Sequence, residues 1–334
     1  MIRTYNLCLL GFGNVNRALV QLLQKKHADL RSLGIDWRIT GIASRRLGWL
    51  VNPSGFDPEG VCCAGALARE NSVSDIHQWL RAAQADVLFE ATSLNVESGQ
   101  PAMGNIRAAL EFGAHAITAN KGPVVHGYQE LRDLAQSKNK RFLFESAVMD
   151  GAPIFSLFRE LPVIHLKSFR GILNSTTNLI LTDMENGMSF ESSVKKAQEL
   201  GLAETDPTND TEGWDATVKV AALVTVLMGV PIKPQQIQRQ GITQLKAEQV
   251  RAARQQGQPY KLICRAQRTA TGVEASVSPQ QLPLSDPLSS VQGTSSAVYF
   301  ETDVLPGLAI IESDPGVETT AYGMLADFIH AVHT

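Results

Sequence analysis

Residues 6–17, NLCLLGFGNVNR, carry an apolar strand straight into two closely spaced glycines and then into a helical run with leucines at 19, 22, 23 and 30. A strand, a glycine turn and a helix in that order form the first unit of a nucleotide-binding sheet. The pattern continues. Short apolar runs at 37–44, 85–92, 115–120 and 141–148 alternate with helical stretches near 75–83, 100–112 and 127–138. Such alternation predicts a parallel sheet covered by helices, an α/β Rossmann-like doubly wound fold over residues 1–145.

The glycine turn supplies the first candidate contacts with a cofactor. Gly11 makes the tight turn and Gly13 lets the backbone approach a pyrophosphate, with Phe12, Asn14 and Val15 in the same loop and helix start. Asn16 replaces the third glycine, and a glycine-rich turn also occurs for packing alone. At the end of the second strand, where an acidic residue would take the ribose hydroxyls of NAD, stand Ser44, Arg45 and Arg46. Two arginines there favour the 2′-phosphate of NADP, with a solvated basic turn as the plainer alternative. Ligands of such sheets lie beyond the carboxyl ends of the strands, so Thr92, Ser93 and Lys121 become candidates in EATS (90–93) and TANK (118–121). Each is also an ordinary loop residue.

The totals narrow the class. With 44% hydrophobic residues in 334, the chain can fill a sizeable core, and a net charge of −3 without a basic stripe argues against nucleic acid partners. No stretch approaches the roughly 20 apolar residues of a membrane span, and no targeting segment is read at the N-terminus. Cys8, Cys62, Cys63 and Cys264 lack zinc or disulfide spacing, so the expected setting is a reducing cytoplasm.

After ESAVMDGAPIF (145–155) the pattern changes: a strand is expected at 165–173, a capped helix at 174–187 and an amphipathic helix at 189–201. Then comes LAETDPTNDTEGWDATVKVAAL (202–223), five acidic residues among turns followed by an apolar helix. Turn chemistry, a cap from Asp210 and an exposed Asp215–Lys219 pair would explain it on a solvated helix. But the run 214–229 has no charge other than Asp215 and Lys219. Burying an ammonium without a partner is costly, so a polar cleft explains the pair better than solvent does, with Asp215 as counterion. A dehydrogenase needs such a proton partner at the reacting oxygen while hydride moves at the carbon. A neighbouring cation such as Lys121 would lower the lysine's pKa, and Asp215 would raise it.

Over nearly its whole length the sequence resembles homoserine dehydrogenases. GFGNVN, TANK (118–121), NSTTN (174–178), AETDPTNDTEGWDATVK (203–219) and TDVLPGLAIIESDPGVETTA (302–321) carry the likeness, the long acidic stretch most specifically. The resemblance implies interconversion of L-homoserine and L-aspartate 4-semialdehyde with NADP or NAD, in threonine, methionine and isoleucine biosynthesis. It implies Lys219 as proton donor and acceptor, Lys121 as second catalytic lysine, Glu204 on the substrate ammonium, and Asp210 and Asp215 organising the site. It further implies Gly316 near the nicotinamide, a homodimer through the middle sheet, and a sodium ion at Glu145, Val148, Asp150 and Ala152. Met149, Asp150, Ser175 and Asn16 depart from the family pattern.

The expected layout is therefore a cofactor domain at 1–145, an α+β catalytic and dimerisation domain at 146–310, and a segment at 311–334 packing back on the first. No appended regulatory domain is expected. Two rival functions share the scaffold: another dehydrogenase of a small amino acid, signalled by the altered NST and VMDG segments, and a nucleotide sensor without chemistry, opposed by Lys121, Lys219 and Glu204 together.

Overall fold

The structure, a computed structural model, describes residues 1–62, 67 and 73–333. It divides into two compact units, Met1–Phe155 with Gly316–Thr334, and Ser156–Pro315.

In the first unit the strands are β1 (Arg3–Leu10), β2 (Ile35–Ser44), β3 (Gly48–Val51), β4 (Val87–Glu90), β5 (His115–Thr118) and β6 (Phe142–Leu143), in spatial order β3-β2-β1-β4-β5-β6. All neighbours run parallel except the β2–β3 edge pair. Strands covered on both faces read as near-continuous apolar runs, and β4 is buried at every residue, apolar except for its last, Glu90. Between β1 and β4 the strand order reverses, which places the ligand crevice at their carboxyl ends. The strand expected at 141–148 shrinks to β6, because the chain turns into a 3-10 helix at Glu145–Ala147. Two bonds fix that turn: Glu145 N–H donates to Asp327 Oδ2 (2.7 Å), and Phe155 N–H donates to Glu145 Oε1 (2.6 Å). The second bond ties Phe155, where the first segment of the unit ends, to that turn.

The helix Val317–Val332 belongs to this unit and seals it. Phe328 meets Tyr5 edge-on at 5.8 Å and Phe89 at 5.9 Å, with Phe89 and Phe328 fully buried. Each such ring contributes about 1.5–3 kcal/mol by leaving water.

The second unit holds a sheet ordered β12-β11-β7-β9-β10-β8, where β7 is Leu166–Ile172, β8 Gln238–Arg239, β9 Tyr260–Thr269, β10 Gly272–Gln281, β11 Ser296–Thr302 and β12 Leu308–Glu312. Only the β8–β10 pair is parallel. The helices Ser175–Glu185 and Trp214–Leu227 pack on the sheet. Among the described residues no helix is long and apolar enough to cross a membrane, and Cys8, Cys62 and Cys264 are free thiols. Cys63 lies outside the described residues.

One charge sits in this unit's core. Lys261 on β9 is fully buried; its ammonium donates to Val291 O (2.7 Å) and Asn178 Oδ1 (3.3 Å), with Glu185 Oε1 at 4.0 Å. Asn178 in turn donates to Gly293 O (3.0 Å) and Ser295 O (3.2 Å), so the pair pins the 291–295 loop. Burial lowers the lysine's pKa to about 8, the Glu185 charge opposing. In the unfolded chain the value returns to about 10.4, so between those limits the unfolded state binds more protons and stability rises with pH. Urea unfolding at pH 8 and pH 10 should show this rise, at most about 1.4 kcal/mol per pH unit, and Lys261→Met should flatten it. An equal rise in the variant would place the titration elsewhere.

Candidate active site

The crevice at the switch point is a cleft of about 1000 Å³ lined by the glycine turn, Ser44, Arg45, Arg46, Trp49 and the Ala91–Ser93 turn. Gly11 has φ +81°, and a Cβ there would stand 2.4 Å from Ala91 O, so only glycine lets β1 leave the sheet this close to β4's end. A Cβ on Gly13 would meet nothing within 4 Å, which leaves its face open to a ligand. Asn16, in the place of the third glycine, is fully buried and donates to Leu10 O and Gly11 O, both at 3.1 Å. The substitution thus ties the helix Asn14–Lys25 to the turn it follows. Phe12 is buried with Arg17 over its ring at 4.7 Å, and Val15 is half-buried against the core. Asn14, Arg45 and Arg46 are exposed.

Behind the cleft lies a polar cluster joining two strand ends. Glu90 closes β4 with no exposure and accepts from Thr92 N (2.8 Å), the Thr92 hydroxyl and Thr118 Oγ1 (2.5 Å). Burial pushes its carboxyl above the ordinary range, while these donors oppose the shift. Asn120 caps the helix Lys121–Ser137 through Gly122 N (2.9 Å), donates to Thr92 O (3.2 Å), and places Lys121, half-buried, as the first helical residue. That helix begins six residues earlier than its apolar pattern predicts. Gly316 starts the helix Val317–Val332 at its N-cap.

In the second unit, Lys219 and Asp215 stand one turn apart with Nζ and Oδ2 at 3.4 Å, their side chains 15% and 19% exposed. Lys219 also donates to Leu173 O at 2.6 Å. Burial pushes the Cys264 thiol on β9 up to about 12, with the Leu173 amide and Lys219 opposing, so it remains neutral. Asn174, which the sequence pattern showed only as part of a capped turn, organises the group. Its Oδ1 caps the helix Ser175–Glu185 at Thr177 N (2.8 Å), and its amide donates to Asp210 Oδ1 (2.7 Å) and Asp215 Oδ2 (3.0 Å). One buried amide therefore ties Asp210 to Asp215, the lysine's counterion. The start of the helix Trp214–Leu227 is clamped from outside by Arg239, whose guanidinium lies 3.9 Å over the Trp214 ring and donates to Glu212 O. Glu204 is exposed and makes no side-chain hydrogen bond or ion pair among the described residues. Ser175 meets Ser296, their hydroxyls 3.3 Å apart.

The four residues expected around sodium divide by role. Glu145, Val148 and Ala152 are buried, whereas Asp150, at φ +42°, turns its carboxylate to accept from Thr320 Oγ1 at 2.6 Å. No group of three or more His, Cys, Asp or Glu suited to a metal occurs among the described residues.

A glycine-turn cleft at a sheet's switch point and a carboxylate-held lysine on an apolar helix are what a nicotinamide-dependent oxidoreductase requires, one for hydride and one for the proton. That class narrows on comparison with known proteins. Residues 11–145 match the family model "Homoserine dehydrogenase, NAD binding domain" and residues 153–329 the model "Homoserine dehydrogenase". The NAD(+)-dependent homoserine dehydrogenase of Pseudomonas canavaninivorans is 36% identical, over 98% of this chain and 96% of its own. A crystal structure of homoserine dehydrogenase from Thiobacillus denitrificans superposes with a TM-score of 0.85 at 29% identity, over 99% of this chain and 74% of that one. A hyperthermophilic archaeal homoserine dehydrogenase mutant, solved in complex with NADPH, gives 0.82 at 26% identity over 98% of both chains. The chain belongs to the homoserine dehydrogenase family.

The Asn174 bridge makes a specific demand. Asn174→Ala removes the cap, at a cost of about 0.5–2 kcal/mol, and releases both aspartates. Turnover should fall by about tenfold to a hundredfold through lost positioning, while cofactor affinity, measured by nicotinamide fluorescence, stays at the wild-type value. Full turnover in the variant would show that the bridge does not set the site.

Proposed function

We propose that the chain interconverts L-homoserine and L-aspartate 4-semialdehyde, with NADP preferred over NAD. The observation that carries the reading is the Asp215–Lys219 pair, an ammonium held between a carboxylate and Leu173 O on an otherwise apolar helix. A bound nicotinamide supplies or accepts the hydride at the substrate carbon. Lys219 delivers a proton to the carbonyl oxygen of the semialdehyde, or takes one from the alcohol of homoserine in reverse. Asp215 and Leu173 O aim its Nζ, and Asn174 keeps Asp215 from rotating away. Asp210 and Glu204 offer carboxylates to the substrate ammonium; the exposed, unpartnered Glu204 is available for it. Lys121, fixed by the Asn120 cap, is the second catalytic lysine of the reading.

Gly11, Gly13, Thr92 and Ser93 hold the cofactor in this reading, with Gly316 near its nicotinamide. Support for NADP lies in Arg45 and Arg46, which line the cleft after β2 where no acidic residue stands to take ribose hydroxyls. Sodium at Glu145 and the carbonyls of Val148, Asp150 and Ala152 fits the donor chemistry, a buried carboxylate with backbone oxygens suiting a hard cation. Asp150 would contribute its carbonyl, its side chain being held by Thr320. A homodimer formed through the sheet of the second unit and a cytoplasmic setting complete the reading. Free Cys8, Cys62 and Cys264 suit the latter.

Two measurements test this. With L-homoserine and NADP, wild type should reduce the cofactor, and Lys219→Ala should lower kcat by about a hundredfold to ten-thousandfold while still binding it. No turnover by the wild type, or full turnover by the variant, would reject the proton role. Replacing Arg45 and Arg46 together by alanine should raise the Kd for NADP about tenfold or more and leave NAD little changed. A wild-type preference for NAD would remove the phosphate role of the arginines.

A further inference from the structure

Glu90 stands out because it costs the fold something. It is the last residue of a strand whose other members are apolar, it has no solvent exposure, and a hydrophobic side chain would pack there without desolvating a charge. Its hydrogen-bond donors come from the two strand ends that border the nucleotide crevice. Thr92 supplies a backbone N–H and a hydroxyl from the turn after β4, and Thr118 supplies a hydroxyl from the end of β5. Each oxygen serves one strand end: Oε1 takes both Thr92 donors and Oε2 takes Thr118.

The link continues past the carboxylate. Thr118 Oγ1, while donating to Glu90, accepts from Asn120 N at 2.9 Å, and Asn120 then caps the helix whose first residue is Lys121. Asn120 Nδ2 closes the loop by donating to Thr92 O at 3.2 Å. Side-chain and backbone bonds thus form a closed ring from the cofactor turn through Glu90 and Thr118 to Asn120 and back.

We propose that Glu90 is a positioning residue that locks the Thr92–Ser93 cofactor turn and the Lys121 helix start into one register. The inference rests on the functional reading of Thr92, Ser93 and Lys121 given above. The two carboxyl oxygens of Glu90 accept from Thr92 on one side and Thr118 on the other. An amide cannot: its donor end leaves either the two Thr92 donors or the Thr118 hydroxyl without an acceptor, and the hold on both strand ends at once is lost.

The test uses the intact enzyme, with NADPH affinity by fluorescence titration, kcat at saturating substrates, and thermal midpoint. Glu90→Gln should fold, raise the Kd for NADPH about tenfold and lower kcat about tenfold or more. Thr118→Val, which cuts only the Lys121 side, should lower kcat with cofactor Kd unchanged, and Thr118→Ser, which keeps the hydroxyl, should restore it. Glu90→Gln that binds and turns over like wild type would overturn the proposal. So would Thr118→Ser as impaired as Thr118→Val, and that pair decides the matter if Glu90→Gln fails to fold. Lys121→Ala is measured alongside: full turnover there rejects the catalytic reading of Lys121, while the NADPH affinity of Glu90→Gln still supports or overturns the positioning role.

Discussion

An ammonium withdrawn from water must be given oxygen partners, and the second unit is arranged to give them to Lys219. Asp215 one turn before it and Leu173 O at the end of β7's continuation hold the charge at 3.4 and 2.6 Å. Neither would stay in place unaided. Asn174 fastens Asp215 and Asp210 together, and Arg239 clamps the helix start through Trp214. The apolar helix Trp214–Leu227 contributes as much by what it lacks. With no other charge along it, Asp215 is the one charged side chain that the helix itself offers the lysine.

The first unit solves a different problem with related means. A nucleotide must approach backbone, so Gly11 gives up its side chain to let β1's end pass Ala91, and Asn16 restores with two hydrogen bonds the tightness that a third glycine would have supplied by closeness. Polar ties then replace apolar packing where the strands end. In both units a buried side chain holds two separate segments at once: Glu90 in the first unit, Asn174 in the second. Such bonds are directional, and direction is what a site needs beyond the non-directional cohesion of a core.

Several elements were legible from local pattern alone. The glycine turn, the apolar strands before and after it, and the helix carrying Asp215 and Lys219 follow from hydrophobic period and turn chemistry, which act over a few residues. The strand expected at 141–148 fails for the opposite reason. Its apolar run suits a strand, but Asp327, far along the chain, captures Glu145 N–H and bends the backbone after two strand residues. The late start expected for the Lys121 helix fails similarly, since its first turn depends on the Asn120 cap rather than on an apolar stripe.

By itself the sequence determined the glycine turn, the strands around it and the Asp215–Lys219 pair, because an i,i+4 spacing on a helix brings two side chains together whatever surrounds them. It also carried the family likeness, through the acidic stretch at 203–219. Only the tertiary structure decided which distant residues complete each cluster. Asn174 reaches Asp210 and Asp215 from 36 and 41 positions away, and Glu90 reaches Thr118 from 28. No local propensity encodes such pairings. They arise when strands from separate parts of the chain are laid side by side, and the polar groups at their ends must then find one another or remain unsatisfied.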